Sequence, residues 1–198
     1  MWVKVCGLSK REDVEAAVAA GADAVGFVLA ESPRRVSVAE ARALGNGVAI
    51  HRVLVTVDAL PDQLMEWVEQ TNASGVQPHG RYAVAAGDAA TAGGLLVLHP
   101  VTVGSSVDLD PVAKDRIPLL DTFNAVLHGG SGSTFDWSLT DGVDRDFVLA
   151  GGLNADNVAQ AVDRVHPWGV DASSGLESAP GVKVLERITA FVREAKQA

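Results

Sequence analysis

Short apolar runs rich in β-branched residues alternate with amphipathic helical stretches from one end of the chain to the other, and no other feature constrains the fold as strongly. A strand, a crossover helix and a second strand in the same sheet run parallel. Parallel strands covered on both faces read as continuous apolar runs. Eight such runs occur, over residues 3–6, 24–29, 53–57, 75–77, 95–98, 118–120, 147–150 and 169–170. Eight βα units in 198 residues leave about 25 residues each, which is small for a (β/α)₈ TIM barrel. The expected architecture is therefore an α/β chain, a single (β/α)₈-barrel domain over 1–198, with some helices shortened. An open doubly wound sheet is the alternative, weakened because no G-x-G-x-x-G follows any strand.

Helix signals punctuate the units. Ser9 with Glu12 and Ser37 with Glu40 read as capping boxes, Gly21 ends the first helix, and Pro61 suits the first turn of the third. The alanine- and glycine-rich stretch 81–94 predicts a short fourth helix. A helix opening at Asn154 places Val158, Ala161, Val162 and Val165 on one face. The last helix does the same with Val184, Leu185, Ile188, Phe191 and Val192.

With 47% apolar residues the chain can bury a sizeable core. Its net charge of −9 and lack of any basic run argue against nucleic acid. No apolar stretch approaches the roughly 20 residues needed to cross a bilayer. One cysteine precludes an internal disulfide, and without a signal-peptide pattern the chain reads as cytoplasmic. A monomer is preferred, with a homodimer as the alternative.

Active sites of such barrels lie at the C-terminal ends of the strands. That rule selects Cys6, the Ser32–Arg35 loop, Asp58, Gln77 with His79, His99, Asp121, Gly151-Gly152 with Asn154, and Asp171 with Ser173-Ser174-Gly175. The two glycine-containing loops follow strands seven and eight, where backbone amides converge on an anion. No matching pair lies opposite, where Asp58 and Pro61 follow strand three, so one phosphate site is expected. A lone cysteine is more often a small buried hydrophobe than a catalyst, yet Cys6 and Asp121 end well-separated strands and could flank a sugar as base and acid. Arg34 and Arg35 are either solvated cations or a clamp for a carboxylate. His51, His128 and His166 read as structural or surface residues. No metal-ligand spacing occurs, so chemistry without metal or cofactor is expected.

Several segments are similar to the phosphoribosylanthranilate isomerase family. They are Lys4-Val5-Cys6-Gly7-Leu8, Gly21-Ala22-Asp23-Ala24-Val25-Gly26-Phe27, Ser32-Pro33-Arg34-Arg35-Val36-Ser37, Val76-Gln77-Pro78-His79-Gly80 and Leu119-Leu120-Asp121. Gly129-Gly130-Ser131-Gly132 before Phe135-Asp136-Trp137, Leu149–Asn154 and the segment 170–177 complete the set. The resemblance implies an Amadori rearrangement in tryptophan biosynthesis on a small-molecule substrate, N-(5-phosphoribosyl)anthranilate. Asp121 would be the general acid and Cys6 the general base. Arg35 would face the anthranilate carboxylate, and Gln77, His79 and Asp171 the polar middle of the substrate. Gly151, Gly152, Ser173, Ser174 and Gly175 would hold the phosphate. Pro78 stands where the family usually has leucine, and Val184 where an acidic residue is common. The related sugar isomerase of histidine biosynthesis is disfavoured by Cys6, where that family has aspartate, and by the single phosphate site; a catalytically silent sugar-phosphate sensor is disfavoured because both Cys6 and Asp121 are present.

Overall fold

The computed structural model describes residues 1–122 and 134–198. Eight parallel strands close into a barrel: β1 (Trp2–Cys6), β2 (Ala24–Val28), β3 (His51–Val57), β4 (Gly75–His79), β5 (Leu96–Val103), β6 (Ile117–Thr122), β7 (Val148–Leu149) and β8 (Gly169–Ala172). The ring shuts where β8 pairs with β1, with Lys4 in register with Asp171. Six helices lie among the described residues: α1 (Arg11–Ala20), α2 (Val38–Gly45), α3 (Pro61–Thr71), α4 (Ala83–Ala92), α5 (Val158–Val165) and α6 (Leu185–Gln197). Shortening is concentrated in the second half. No helix joins β5 to β6, and the described residues between β6 and β7 hold only a 3₁₀ turn, Trp137–Thr140. His128 and Gly129–Gly132 lie outside the described residues.

Several local expectations change. The Ser37–Glu40 capping box forms, with Glu40 N donating to Ser37 Oγ (3.2 Å) and Ser37 N to Glu40 Oε2 (2.7 Å). The Ser9–Glu12 box does not, because α1 starts at Arg11, leaving Lys10 at the cap without a side-chain bond. Helix α4 is not short: it runs ten residues, burying Ala86 and Ala90, with Gly87 lying against the Arg116 guanidinium. Alanine's helix propensity outweighs the single interior glycine. Helix α5 begins at Val158, since Asn154 and Asn157 spend their side chains on a preceding turn, Asn154 N to Asn157 Oδ1 at 2.9 Å and Asp156 N to Asn154 Oδ1 at 2.8 Å. After β8 the chain makes a 3₁₀ turn (Ser174–Leu176) and then an antiparallel hairpin, β9 (Glu177–Ala179) and β10 (Val182–Lys183), where the sequence suggested a short helix near Glu177.

Strand alternation sorts the side chains. Val3 and Val5 of β1 and Val25 and Phe27 of β2 pack outward in the larger core cluster, which also holds helix residues. Ala24, Val53, Leu98, Leu119, Val148 and Ala150 fill the lower interior of the barrel. Trp2, stacked on Trp168 with centroids 5.0 Å apart, packs against that cluster at the strands' N-terminal ends. Above this apolar floor Lys4 and Cys6 point inward and need space on the neighbouring strand. Gly26 provides it: a Cβ there would lie 2.8 Å from Cys6 Sγ and 3.2 Å from both Cys6 Cα and Lys4 Cε.

Gly26→Ala should therefore overpack the interior and destabilise by about 1–3 kcal/mol. Urea unfolding measures this, and an unchanged midpoint would contradict the crowding derived for this position.

Candidate active site

Strand alternation and register carry side chains from β1, β4, β6 and β8 to one cavity at the C-terminal mouth. Cys6, Gln77 with His79, Asp121 and Asp171 line it, together with Ser173 and Arg34 from the loops after β8 and β2. Cys6 and Asp121 thus face one space from well-separated strands, as a base and an acid acting on one substrate require. His99 drops out. Strand β5 continues to Val103, so His99 sits mid-strand with its side chain outside the barrel, where burial and the nearby Arg116 push its pKa down. Asp58 is engaged elsewhere, accepting the Arg81 amide at 2.5 Å. Among the described residues no His/Cys/carboxylate cluster could hold a metal ion.

Beneath the cavity lies a polar layer. The fully buried Lys4 donates to Gln77 Oε1 and to Asp171 Oδ2, both at 2.9 Å, and Gln77 Nε2 reaches His79 Nε2 at 3.1 Å. Asp171 Oδ1 is buried without a partner among the described residues. An unmatched acceptor of that kind favours a ligand hydroxyl or N–H. Burial would depress the Lys4 ammonium, but Asp171 and Cys6 beside it hold its pKa above the ordinary value, so it stays charged. Burial pushes the Cys6 thiol up; the Lys4 charge opposes this and Asp171 adds to it. Burial likewise raises Asp121, opposed by the Thr122 amide, which donates to its Oδ1 at 2.7 Å, and reinforced by Asp171.

A family model described as N-(5'-phosphoribosyl)anthranilate (PRA) isomerase matches residues 3–194. An N-(5'-phosphoribosyl)anthranilate isomerase from Bradyrhizobium sp. (strain ORS 278) is 43% identical over 213 aligned positions, covering 100% of this chain and 96% of the relative. The phosphoribosyl anthranilate isomerase structure from Thermotoga maritima superposes with a TM-score of 0.88 at 35% identity, covering 100% of both chains. A phosphoribosyl anthranilate isomerase solved in complex with reduced 1-(o-carboxyphenylamino)-1-deoxyribulose 5-phosphate superposes with a TM-score of 0.84 at 33% identity, again over 100% of both chains. The chain belongs to the phosphoribosylanthranilate isomerase family. It is an isomerase of tryptophan biosynthesis.

For a phosphoribosylanthranilate isomerase the arginine loop needs one correction. Arg35 does not line the cavity; its exposed side chain pairs with Glu31 at the cavity's rim. The reason is the turn closed by Arg35 N on Ser32 O (3.0 Å), which carries Arg34 inward across the end of β1 instead. Gly7, at φ +72°, makes that crossing possible: a Cβ there would come within 2.6 Å of Arg34 Cδ. Arg34 then grips Glu177 with two parallel bonds, Nε to Oε1 at 2.7 Å and Nη2 to Oε2 at 2.8 Å. The buried Lys183 donates to Glu177 Oε1 at 2.7 Å and to Ser173 O at 2.9 Å. Burial would raise the Glu177 carboxyl, but Arg34 and Lys183 hold it below the ordinary range.

Of the expected phosphate residues, Ser173 lines the cavity and Gly151, Gly152, Ser174 and Gly175 do not. The two loops nevertheless meet, since a Cβ on Gly175 would strike the Leu153 carbonyl and one on Gly151 would come within 3.0 Å of Asp121 Oδ1. Gly151 and Gly152 take φ of +85° and +66°, left-handed values that favour glycine. Lys4, Glu177 and Lys183 were not singled out from sequence. Lys4 carried a signal: a lysine between Val3 and Val5 in a buried strand points to the barrel interior. The two hairpin residues carried none, because the hairpin itself was unforeseen.

A carboxyl whose pKa is raised by the fold contributes stability below the ordinary carboxylate range and loses it as pH rises through the folded value. The raised Asp121 thus costs stability as pH climbs above the ordinary carboxylate range. Asp121→Asn should melt higher than wild type at pH 8, with the gap closing toward pH 4; a lower melting temperature at pH 8 would contradict the raised pKa.

Proposed function

We propose that the isomerisation is an acid/base reaction divided between Asp121 and Cys6, and the observation that carries this is their convergence on one cavity. The substrate is N-(5-phosphoribosyl)anthranilate. Its phosphate sits at the joined loops after β7 and β8, around Gly151, Gly152, Ser173, Ser174 and Gly175. Its anthranilate carboxylate meets Arg34, the arginine inside the cavity. Asp171 Oδ1 accepts a ribose hydroxyl, with Gln77 and His79 beside it.

Asp121, protonated, gives its proton to the ring oxygen. The C1′–O bond breaks, and the anilino nitrogen lone pair forms the C1′=N iminium. The Cys6 thiolate removes the C2′ proton, whose electron pair becomes the C1′=C2′ bond of an enolamine as the iminium nitrogen regains its lone pair. Tautomerisation moves a proton from O2′ to C1′ and yields 1-(2-carboxyphenylamino)-1-deoxyribulose 5-phosphate. The proton gained by the thiol returns to the Asp121 carboxylate, so the cycle balances without a cofactor. The working pair holds one proton, on Asp121. Burial raises both groups, which favours the acid and opposes the thiolate, so the productive arrangement is one of two tautomers of a singly protonated pair.

A catalytic base that is the chain's one thiol suits a reducing compartment, and the cytoplasm is the inferred location. Among the described residues no helix is long and apolar enough to cross a membrane. We infer one domain acting as a monomer, since exposed large apolar residues such as Val18 on α1, Val84 on α4 and Leu185 on α6 are dispersed. Light scattering behind a sizing column tests this; a stable dimer at micromolar concentration would reject it.

Purified protein given phosphoribosylanthranilate should deplete anthranilate fluorescence, and Cys6→Ala or Asp121→Asn should lower kcat about 10²–10⁴-fold. Absence of wild-type turnover would sink the proposal; wild-type kcat in either variant would remove that residue's role. Arg34→Ala should raise KM far more than Arg35→Ala.

A further inference from the structure

The acid/base roles just described do not use Lys4, and closing a barrel does not require a cation at its centre. The interior directly below is filled by apolar groups, Ala24, Val53 and Leu98 among them. Desolvating an ammonium is costly even when it is paired. Lys4 is nonetheless fully buried, with two donors committed at 2.9 Å, to Gln77 Oε1 and Asp171 Oδ2. It precedes Cys6 by two residues on one strand, so both side chains project from the same face, into the space left by Gly26. Lys4 lies beneath the cavity rather than in its lining.

We propose that Lys4 is a positioning residue for the isomerisation: its buried ammonium is the fixed counter-charge that draws the negative charge of the acid/base pair onto Cys6 while Asp121 keeps the proton. The inference rests on Cys6 and Asp121 acting as assigned above. The charged and titratable groups around Cys6 are Lys4 on its own strand, Asp171 on β8, Asp121 on β6, Lys183 on β10, and Glu31, Arg34 and His79 nearer the mouth. Burial is the largest influence on the thiol and opposes ionisation; the Lys4 charge comes next and favours it, ahead of the opposing Asp171 charge and the weaker help of Lys183. At Asp121 the Lys4 charge ranks below burial, the Thr122 amide and Asp171. Cys6 Sγ and Lys4 Cε crowd the same point beside Gly26, 2.8 and 3.2 Å from a Cβ there, whereas Asp121 enters from β6, so the ammonium favours charge on the thiol over the carboxyl. Its neighbours fix where that charge sits: Gln77 and Asp171 anchor the ammonium from β4 and β8, leaving one donor for the sulfur.

Because Cys6 is the chain's one cysteine and lines the open cavity, its alkylation by iodoacetamide reports thiolate directly, without turnover. Lys4→Met should slow alkylation at pH 7.5 about tenfold, the size of effect one adjacent charge exerts on a partly buried acid, and move the rate's titration to higher pH. Asp171→Asn should move it to lower pH. A residue that only supported packing would not give opposite signs. Lys4→Met lowers kcat, and Lys4→Arg restores part of the loss. If Lys4→Met does not fold, the double variant Lys4→Met/Asp171→Asn removes both charges together, and its titration should still rise. Wild-type alkylation profiles in folded Lys4→Met, or in the double variant, would overturn the proposal. Full activity in Cys6→Ala would instead overturn the acid/base assignment.

Discussion

The barrel closes at the seam between β8 and β1, and the register of that seam sets Lys4 beside Asp171. The pairing places a lysine and a carboxylate in contact inside a ring of strands, both buried from solvent. Each alone would carry a prohibitive desolvation cost; together, with Gln77 taking another ammonium donor, they form a polar layer whose remaining acceptor, Asp171 Oδ1, is unmatched among the described residues. Everything above the layer is cavity and everything below it is apolar floor. A register slip of one residue would turn Lys4 outward into the helix-facing core and Val3 and Val5 inward, so the seam that completes the fold also decides which residues of β1 are chemical.

Three glycines mark where parts of the site cross. Gly26 yields its side-chain volume to Cys6 and Lys4, Gly7 lets Arg34 pass over the end of β1, and Gly175 packs onto the Leu153 carbonyl. Each crossing joins loops or strands that are distant in sequence. Arg34 joins the β2 loop to Glu177 of the hairpin, and Lys183 ties Glu177 back to Ser173. The β5–β6 and β6–β7 connections lack a regular helix among the described residues, while the connections after β1, β2, β7 and β8, which hold these crossings, keep α1, α2, α5 and α6. The small size of the chain is thus accommodated away from the arginine, the thiol and the loops after β7 and β8.

How much of this could be read in advance depended on whether the governing contact was local. Strand positions were legible because buried parallel strands are apolar runs, and the box at Ser37–Glu40 because its partners lie three residues apart. Cys6, Asp121, Gln77, His79 and Asp171 followed from one rule about strand ends. The errors came from tertiary contacts. Helix α4 looked weak by composition, yet Ala86 and Ala90 bury against the barrel and Gly87 admits Arg116. Ser9 and Glu12 had the spacing of a cap, but the chain leaves β1 through Gly7 and turns into helix one residue late, with Lys10 at the cap. Choosing between Arg34 and Arg35 required the turn at Ser32 and the distant Glu177, and neither is visible in a string of four loop residues.

The electrostatics of the cavity follow from the same layering. Burial raises Cys6 and Asp121 together, which favours the acid and opposes the base. Asp171, the nearest carboxylate, disfavours ionisation of both groups, so it cannot supply the asymmetry. The asymmetry has to come from a cation nearer one member than the other. β1 provides that by carrying Lys4 and Cys6 on the same face two residues apart, whereas Asp121 stands across the barrel on β6. One strand thereby holds both the base and the charge that acts on it, while the acid comes from elsewhere. Two groups raised by the same burial become inequivalent because of where they enter the ring.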